Sequence, residues 1–185
     1  MKACLVAVCA IVALCAESIG ASSAVNSGDV VFLRVSRTGN RITAQKSGTV
    51  HAKWTHKGSW QEITMKRAAG AGPLQSGDAV FLWNTWGKSY TVQNTTVHAK
   101  WSHSGSWERI VVETVGGGPI VSGDKVFLKA HTGKYIDADA PNAEGRVLAR
   151  YTDMGSWQEL VIEKKAATTT VEPTTAAPET TAAPA

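Results

Sequence analysis

A motif that recurs three times constrains this chain more than any other feature. Gly-Ser-Trp, two polar residues and an aliphatic one appear as Gly58-Ser59-Trp60-Gln61-Glu62-Ile63, Gly105-Ser106-Trp107-Glu108-Arg109-Ile110 and Gly155-Ser156-Trp157-Gln158-Glu159-Leu160. Each copy stands toward the end of a unit that opens on Ser-Gly-Asp, at Ser27, Ser76 or Ser122. Repetition at a steady period marks a fold built from units that cannot bury their apolar faces alone. The units run 27–75, 76–121 and 122–165, which are 49, 46 and 44 residues long, with no linker between them.

Four segments match across the units. Ser-Gly-Asp is turn chemistry, and the strand after it places Val31, Val80 and Val126 beside Leu33, Leu82 and Leu128 on one face. A turn glycine (Gly39, Gly87, Gly133) then leads into a second strand at hairpin spacing. The third segment is Val50-His51-Ala52-Lys53-Trp54, repeated as Val97-His98-Ala99-Lys100-Trp101 and as Val147-Leu148-Ala149-Arg150-Tyr151. It alternates, so His51 and His98 are expected to face away from the core, with Lys53 and Lys100. The fourth segment is the Gly-Ser-Trp strand. No window carries a sustained helical period. Three units of four short strands, closed about a pseudo-threefold axis, bury a common core and leave few free edges. The expected fold is all-β, a β-trefoil of three four-stranded repeats. A three-bladed propeller has the same strand count but falls below the usual range of blades.

The ends read differently. Residues 1–24 form a secretory signal peptide: Lys2, an apolar run from Ala3 to Ala16, then small residues with the cleavage site near Ala24. The run is too short to span a bilayer, so no membrane span is expected in the mature chain. Cys4, Cys9 and Cys15 all lie in this leader, which excludes disulfides and thiolate metal sites from the mature protein. The Thr/Pro/Ala tail 166–185 lacks apolar periodicity and is expected to be disordered. The formal charge of +4 comes without a dense Lys/Arg run, so no nucleic-acid partner is expected.

The stretch Lys125-Val126-Phe127-Leu128-Lys129-Ala130-His131-Thr132-Gly133-Lys134-Tyr135-Ile136 resembles the strand–turn–strand signature of fascin-like β-trefoil domains. The segments Gly145 to Arg150 and Trp157 to Glu163 resemble the remainder of the same unit. The resemblance spans 25–165 and is best in unit three. It implies a trefoil fold and a non-catalytic binding role. The family includes actin-binding proteins in which several trefoils are joined. Ricin-B-like lectins share the architecture and carry Gln-x-Trp near the end of each unit, whereas here Trp precedes Gln or Glu.

Recurring aromatics are expected to be core, so Trp60, Trp107 and Trp157 are assigned to the interior with Leu33, Leu82 and Leu128. Trp54, Trp101 and Tyr151 are expected to pack as well. Trp83 and Trp86 occur only in unit two, Trp86 beside Gly87 in a hairpin turn, where an aromatic can stack on a ligand. The candidate ligand-binding set is Trp83, Trp86, Lys88, His51, His98, His131 and Lys134. Asp29, Asp78 and Asp124 are read as turn residues. Asn94-Thr95-Thr96 is an N-glycosylation sequon in a turn. No catalytic residue, metal or cofactor is expected, because no nucleophile elbow, phosphate loop or His-Glu-x-x-His appears. The expected function is that of a secreted, monomeric, non-catalytic module that binds extracellular or cell-surface glycans. Binding to actin or another protein is the alternative, and glycoside hydrolysis a distant third.

Overall fold

The computed structural model describes residues 23–138 and 145–166. Residues 1–22 of the expected leader, with the three cysteines, Asp139 and the expected tail beyond Ala166 lie outside the described residues.

Among the described residues twelve strands follow one another: β1 (Val30–Val35), β2 (Arg41–Ala44), β3 (Val50–Trp54), β4 (Ile63–Arg67), β5 (Asp78–Asn84), β6 (Ser89–Gln93), β7 (Thr96–Trp101), β8 (Ile110–Glu113), β9 (Lys125–Ala130), β10 (Tyr135–Ala138), β11 (Val147–Tyr151) and β12 (Leu160–Lys164). Each repeat contributes four. Its first and last strands pair antiparallel in the order β1–β4–β5–β8–β9–β12 and back to β1, closing a six-stranded barrel. This closure excludes a propeller, whose blades are separate sheets. The middle strands form the hairpins β2–β3, β6–β7 and β10–β11, which meet one another about the axis. The architecture is β-trefoil-like.

The threefold repetition of sequence becomes a threefold repetition of bonds. In Ser-Gly-Asp the carboxylates of Asp29, Asp78 and Asp124 accept the N–H three residues earlier at 2.7–2.8 Å. The glycines between stand at φ +99, +95 and +102, a backbone region open to glycine at little cost. The serine hydroxyls accept the N–H groups of Arg67, Thr114 and Lys164, tying the start of each unit to its last strand. Val25, Leu74 and Ile120, all fully buried, exchange backbone hydrogen bonds in a ring at 2.8–2.9 Å that seals one end of the barrel. At the hairpin end, the N–H groups of Ala52, Ala99 and Ala149 donate to the carbonyls of Gly145, Gly48 and Thr95 in the neighbouring units.

The core takes the alternating residues of the barrel strands, including Leu33, Leu82 and Leu128, each at most 1% exposed. Glu163 on β12 gathers Arg34, Arg41 and Lys57 at 2.8–3.0 Å. Burial alone would push its carboxyl up, but the hydrogen bonds from Arg41, Lys57 and Arg34 outweigh that and hold it at about 2.

Two expectations about the interior are corrected. Trp60 and Trp107 are 43% and 50% exposed, and Trp157 is only half-buried, so these rings are not core. His51 and His98, expected to face solvent, are buried. One face of β3 and β7 packs on the core. On the other, Lys53 and Lys100 are exposed, while His51 and His98 are covered by the rings of Trp54 and Trp101, where backbone bridges (His51 to Arg146, Thr49 to His98) join the neighbouring hairpins. Alternation reads one face as wet, which holds only for a sheet solvated on that side.

Candidate functional site

The turn after β3 explains why the tryptophans face outward. Residues Ser59–Gln61 form a single 3-10 turn rather than the start of a strand. The side chain that points inward is Gln61, 1% exposed, not its neighbour Trp60. Its Oε1 accepts the Gly58 N–H at 3.0 Å, and its Nε2 donates to the Thr43 hydroxyl at 2.9 Å. Glu108 repeats this in unit two: Oε2 accepts the Gly105 N–H at 2.8 Å and Oε1 accepts the Thr91 hydroxyl at 2.9 Å. Gln158 closes the same loop on Gly155 at 3.0 Å. A side chain reaching back to a backbone donor three residues earlier pins a turn as a capping box does. The glycine leaves room for this close approach. A Cβ on Gly58, Gly105 or Gly155 would stand 3.1, 3.0 or 2.8 Å from the carboxamide or carboxylate oxygen.

With the loop pinned, each Trp is presented at the surface against a hairpin tip of the next unit. Trp60 meets Trp86 edge-on at 5.9 Å between centroids. Trp107 stacks flat on His131 at 6.1 Å, with 4° between the planes. Trp157 lies 3.9 Å beneath the Arg37 guanidinium.

In units one and two the loop and the end of the third strand enclose equivalent open cavities. The first, about 340 Å³, is lined by Trp54, His56, Gly58, Ser59, Trp60 and Gln61. The second, about 290 Å³, is lined by the counterparts Trp101, His103, Gly105, Ser106, Trp107 and Glu108. His56 and His103 lie tilted over Trp54 and Trp101 at 6.0 and 6.1 Å. Unit three differs at two of the wall positions, with Tyr151 for the strand-end Trp and Asp153 for the His. Trp101 and Tyr151, expected to pack, are 37% and 46% exposed.

A histidine lies beneath each strand-end Trp. His51 meets Trp54 edge-on at 4.6 Å, and His98 meets Trp101 at the same distance. Among the described residues, neither ring nitrogen of His51 has a hydrogen-bond partner, nor has His98 Nδ1, while His98 Nε2 lies 3.3 Å from Gln93 Oε1. Burial first, and then the neighbouring Lys53 or Lys100, lowers both imidazole pKa values, with Glu108 partly opposing this at His98. Both rings are therefore held neutral. Above the ordinary histidine pKa, near 6.5, folded and unfolded chains are both neutral here, and these groups make stability independent of pH. Below it the unfolded chain takes up protons that the folded chain resists, so stability falls with acidification until the lowered folded-state values are passed. Unit three has Leu148 at this place. The variant His51→Leu/His98→Leu is expected to flatten the loss of stability between pH 7.5 and 5.5. Urea denaturation at the two pH values checks this, and an unchanged slope contradicts it.

The other candidate residues scatter. Trp86 touches Trp60 and packs partly on the core, and His131 touches Trp107. Lys88 donates to Ser102 Oγ at 2.9 Å, close to the second cavity in sequence. Lys134 belongs to the β9–β10 turn, where its carbonyl accepts the Ala130 N–H. Trp83 lies on β5 opposite Thr64, with the Lys66 ammonium 5.9 Å from its ring, and lines neither cavity. Asn94 is exposed in the β6–β7 turn at φ +58. Sequence reasoning missed Gln61, Glu108, His56 and His103 as parts of one site. The available signal was the recurrence of Gln or Glu directly after every Gly-Ser-Trp. Among the described residues no three His, Cys, Asp or Glu side chains gather as a metal-ligand group, and no helix is long and apolar enough to cross a membrane.

No protein-family model matches the chain, and no curated protein matches it by sequence. Solved structures do resemble it in fold. A Caenorhabditis elegans protein of unknown function superposes with a TM-score of 0.66 at 16% identity, covering 77% of this chain and 97% of its own. The SDF2-like protein of Arabidopsis thaliana gives 0.63 at 12% identity, with 75% and 94% covered. ThreeFoil, a designed threefold-symmetric protein, gives 0.57 at 18% identity, with 72% and 97% covered. At these identities the likeness is one of fold alone.

Proposed function

We propose that this chain is a non-catalytic binding module that takes carbohydrate in the cavities of units one and two, on extracellular or cell-surface glycans. The observation that carries the reading is the outward display of Trp60 and Trp107, each walling an open cavity with a second Trp and a His. A large exposed aromatic on a pinned loop needs a reason. Its flat apolar face suits the C–H face of a sugar ring, and the polar rim of Ser59 or Ser106, His and Gln61 or Glu108 suits the hydroxyls. The cavities are at the small end of ligand pockets, which fits one or two sugar units better than a long chain. Duplication adds avidity toward a ligand that presents several ends. In unit three the Arg37 guanidinium already covers the ring of Trp157.

A glycan array with the wild-type protein, followed by titration calorimetry on the selected glycan, tests this. Wild type is expected to bind at two sites, and Trp60→Ala or Trp107→Ala at one. Binding that ignores both substitutions, or co-sedimentation with filamentous actin without glycan binding, would overturn the reading.

A further inference from the structure

The two cavities differ by one charge, at the position that pins the loop. Gln61 and Gln158 hold their loops with a neutral carboxamide, and Glu108 holds the same loop with a carboxylate that is 2% exposed. The loop does not need the charge. With Gln the side-chain Nε2–H donates to Thr43, and with Glu the Thr91 hydroxyl turns round and donates to Oε1. Both schemes satisfy the same atoms, yet burying a carboxylate costs more than burying an amide. The extra cost has to be met by something else. The carboxylate lines the cavity between Trp101 and Trp107. It offers about four acceptor positions, of which Gly105 and Thr91 use one each. Among the described residues, the only basic side chain within ion-pair distance is His103, whose Nε2 is 3.5 Å from Oε1 and whose own side chain is 60% exposed. Aromatic faces attract a cation, and a buried carboxylate beside them does so more strongly.

We infer that the unit-two cavity prefers a sugar bearing a protonated amine to its neutral counterpart, a preference that the unit-one cavity lacks. This rests on the carbohydrate reading above and adds the charge of the ligand. His103 is then a gate that a cationic sugar displaces from Glu108, and Glu108 is the specificity-determining residue.

The test is an NMR titration of the Trp60→Ala variant, which leaves the unit-two cavity intact, followed through the indole N–H groups of Trp101 and Trp107. Glucosamine is expected to bind about tenfold more tightly than N-acetylglucosamine, a difference of about 1.4 kcal/mol. Adding Glu108→Gln should erase that preference, so that the two sugars bind equally. This variant copies units one and three, so its fold is safe, and its amide spectrum verifies that. A preference that survives Glu108→Gln, or equal binding of the two sugars before it, would overturn the charge assignment alone. Binding of Nα-acetyl-lysine amide as tight as that of glucosamine would overturn the assignment to a sugar. No indole shift with either sugar would overturn the carbohydrate reading itself.

Discussion

Asp137→Ala is expected to lower the stability of the fold by about 2–3 kcal/mol, because it removes a fully buried carboxylate that accepts charge-assisted hydrogen bonds from Arg150. Asp137 is fully buried and holds Arg150 by two hydrogen bonds, at 2.7 and 3.3 Å. It stands where units one and two have Thr43 and Thr91, and Arg150 where they have Lys53 and Lys100. In those units the threonine hydroxyl serves the buried Gln61 or Glu108. The double variant Asp137→Thr/Arg150→Lys copies the residues of its sisters and is expected to recover most of the loss. Guanidinium-chloride denaturation of the single and double variants measures both numbers. A loss below about 1 kcal/mol for Asp137→Ala would mean that the pair is not the buried anchor described here.

Gly145→Ala is the second large effect, at about 2–4 kcal/mol. Gly145 stands at φ +55, and a Cβ there would be 2.7 Å from the Ala52 carbonyl oxygen. Its own carbonyl accepts the Ala52 N–H at 2.7 Å, one of the three bonds that join neighbouring units about the axis. Relief of the clash therefore moves a contact between repeats. Gly39→Ala is the control. Its φ is +76, but nothing lies within 4 Å of a Cβ, so only the backbone cost of about 1 kcal/mol is expected. Thermal melts of the pair separate torsion from collision, and equal losses would contradict the close approach.

The fold was legible because three copies of the same hydrophobic pattern leave little choice of closure. The Ser-Gly-Asp turns, the Val and Leu face of the first strands and the hairpin glycines all sit where their chemistry places them. The site was legible only in part. Gly-Ser-Trp announced itself by recurrence, but a tight turn does not obey the period of two, and the inward position fell to Gln61, Glu108 and Gln158. Long polar side chains are rarely buried unless paired, so composition argues against that choice. What makes it possible is a pair of partners distant in sequence, the Gly58 N–H and the Thr43 hydroxyl for Gln61. His51 and His98 were misread for a related reason. They lie on the outer face of β3 and β7, but there Trp54 and Trp101 cover them where hairpins of other units abut, and alternation does not show this.

The central claim is that Trp60 and Trp107 face a ligand rather than the core, and one variant tests it. Trp60→Ala/Trp107→Ala should abolish binding of the glycan selected on the array, while the free energy of unfolding changes by no more than about 1 kcal/mol, as for surface positions. Calorimetric titration and a denaturation curve on the same preparation give both quantities. Retained binding together with a loss of stability of about 3–5 kcal/mol per ring, the cost of removing a core aromatic, would contradict the account.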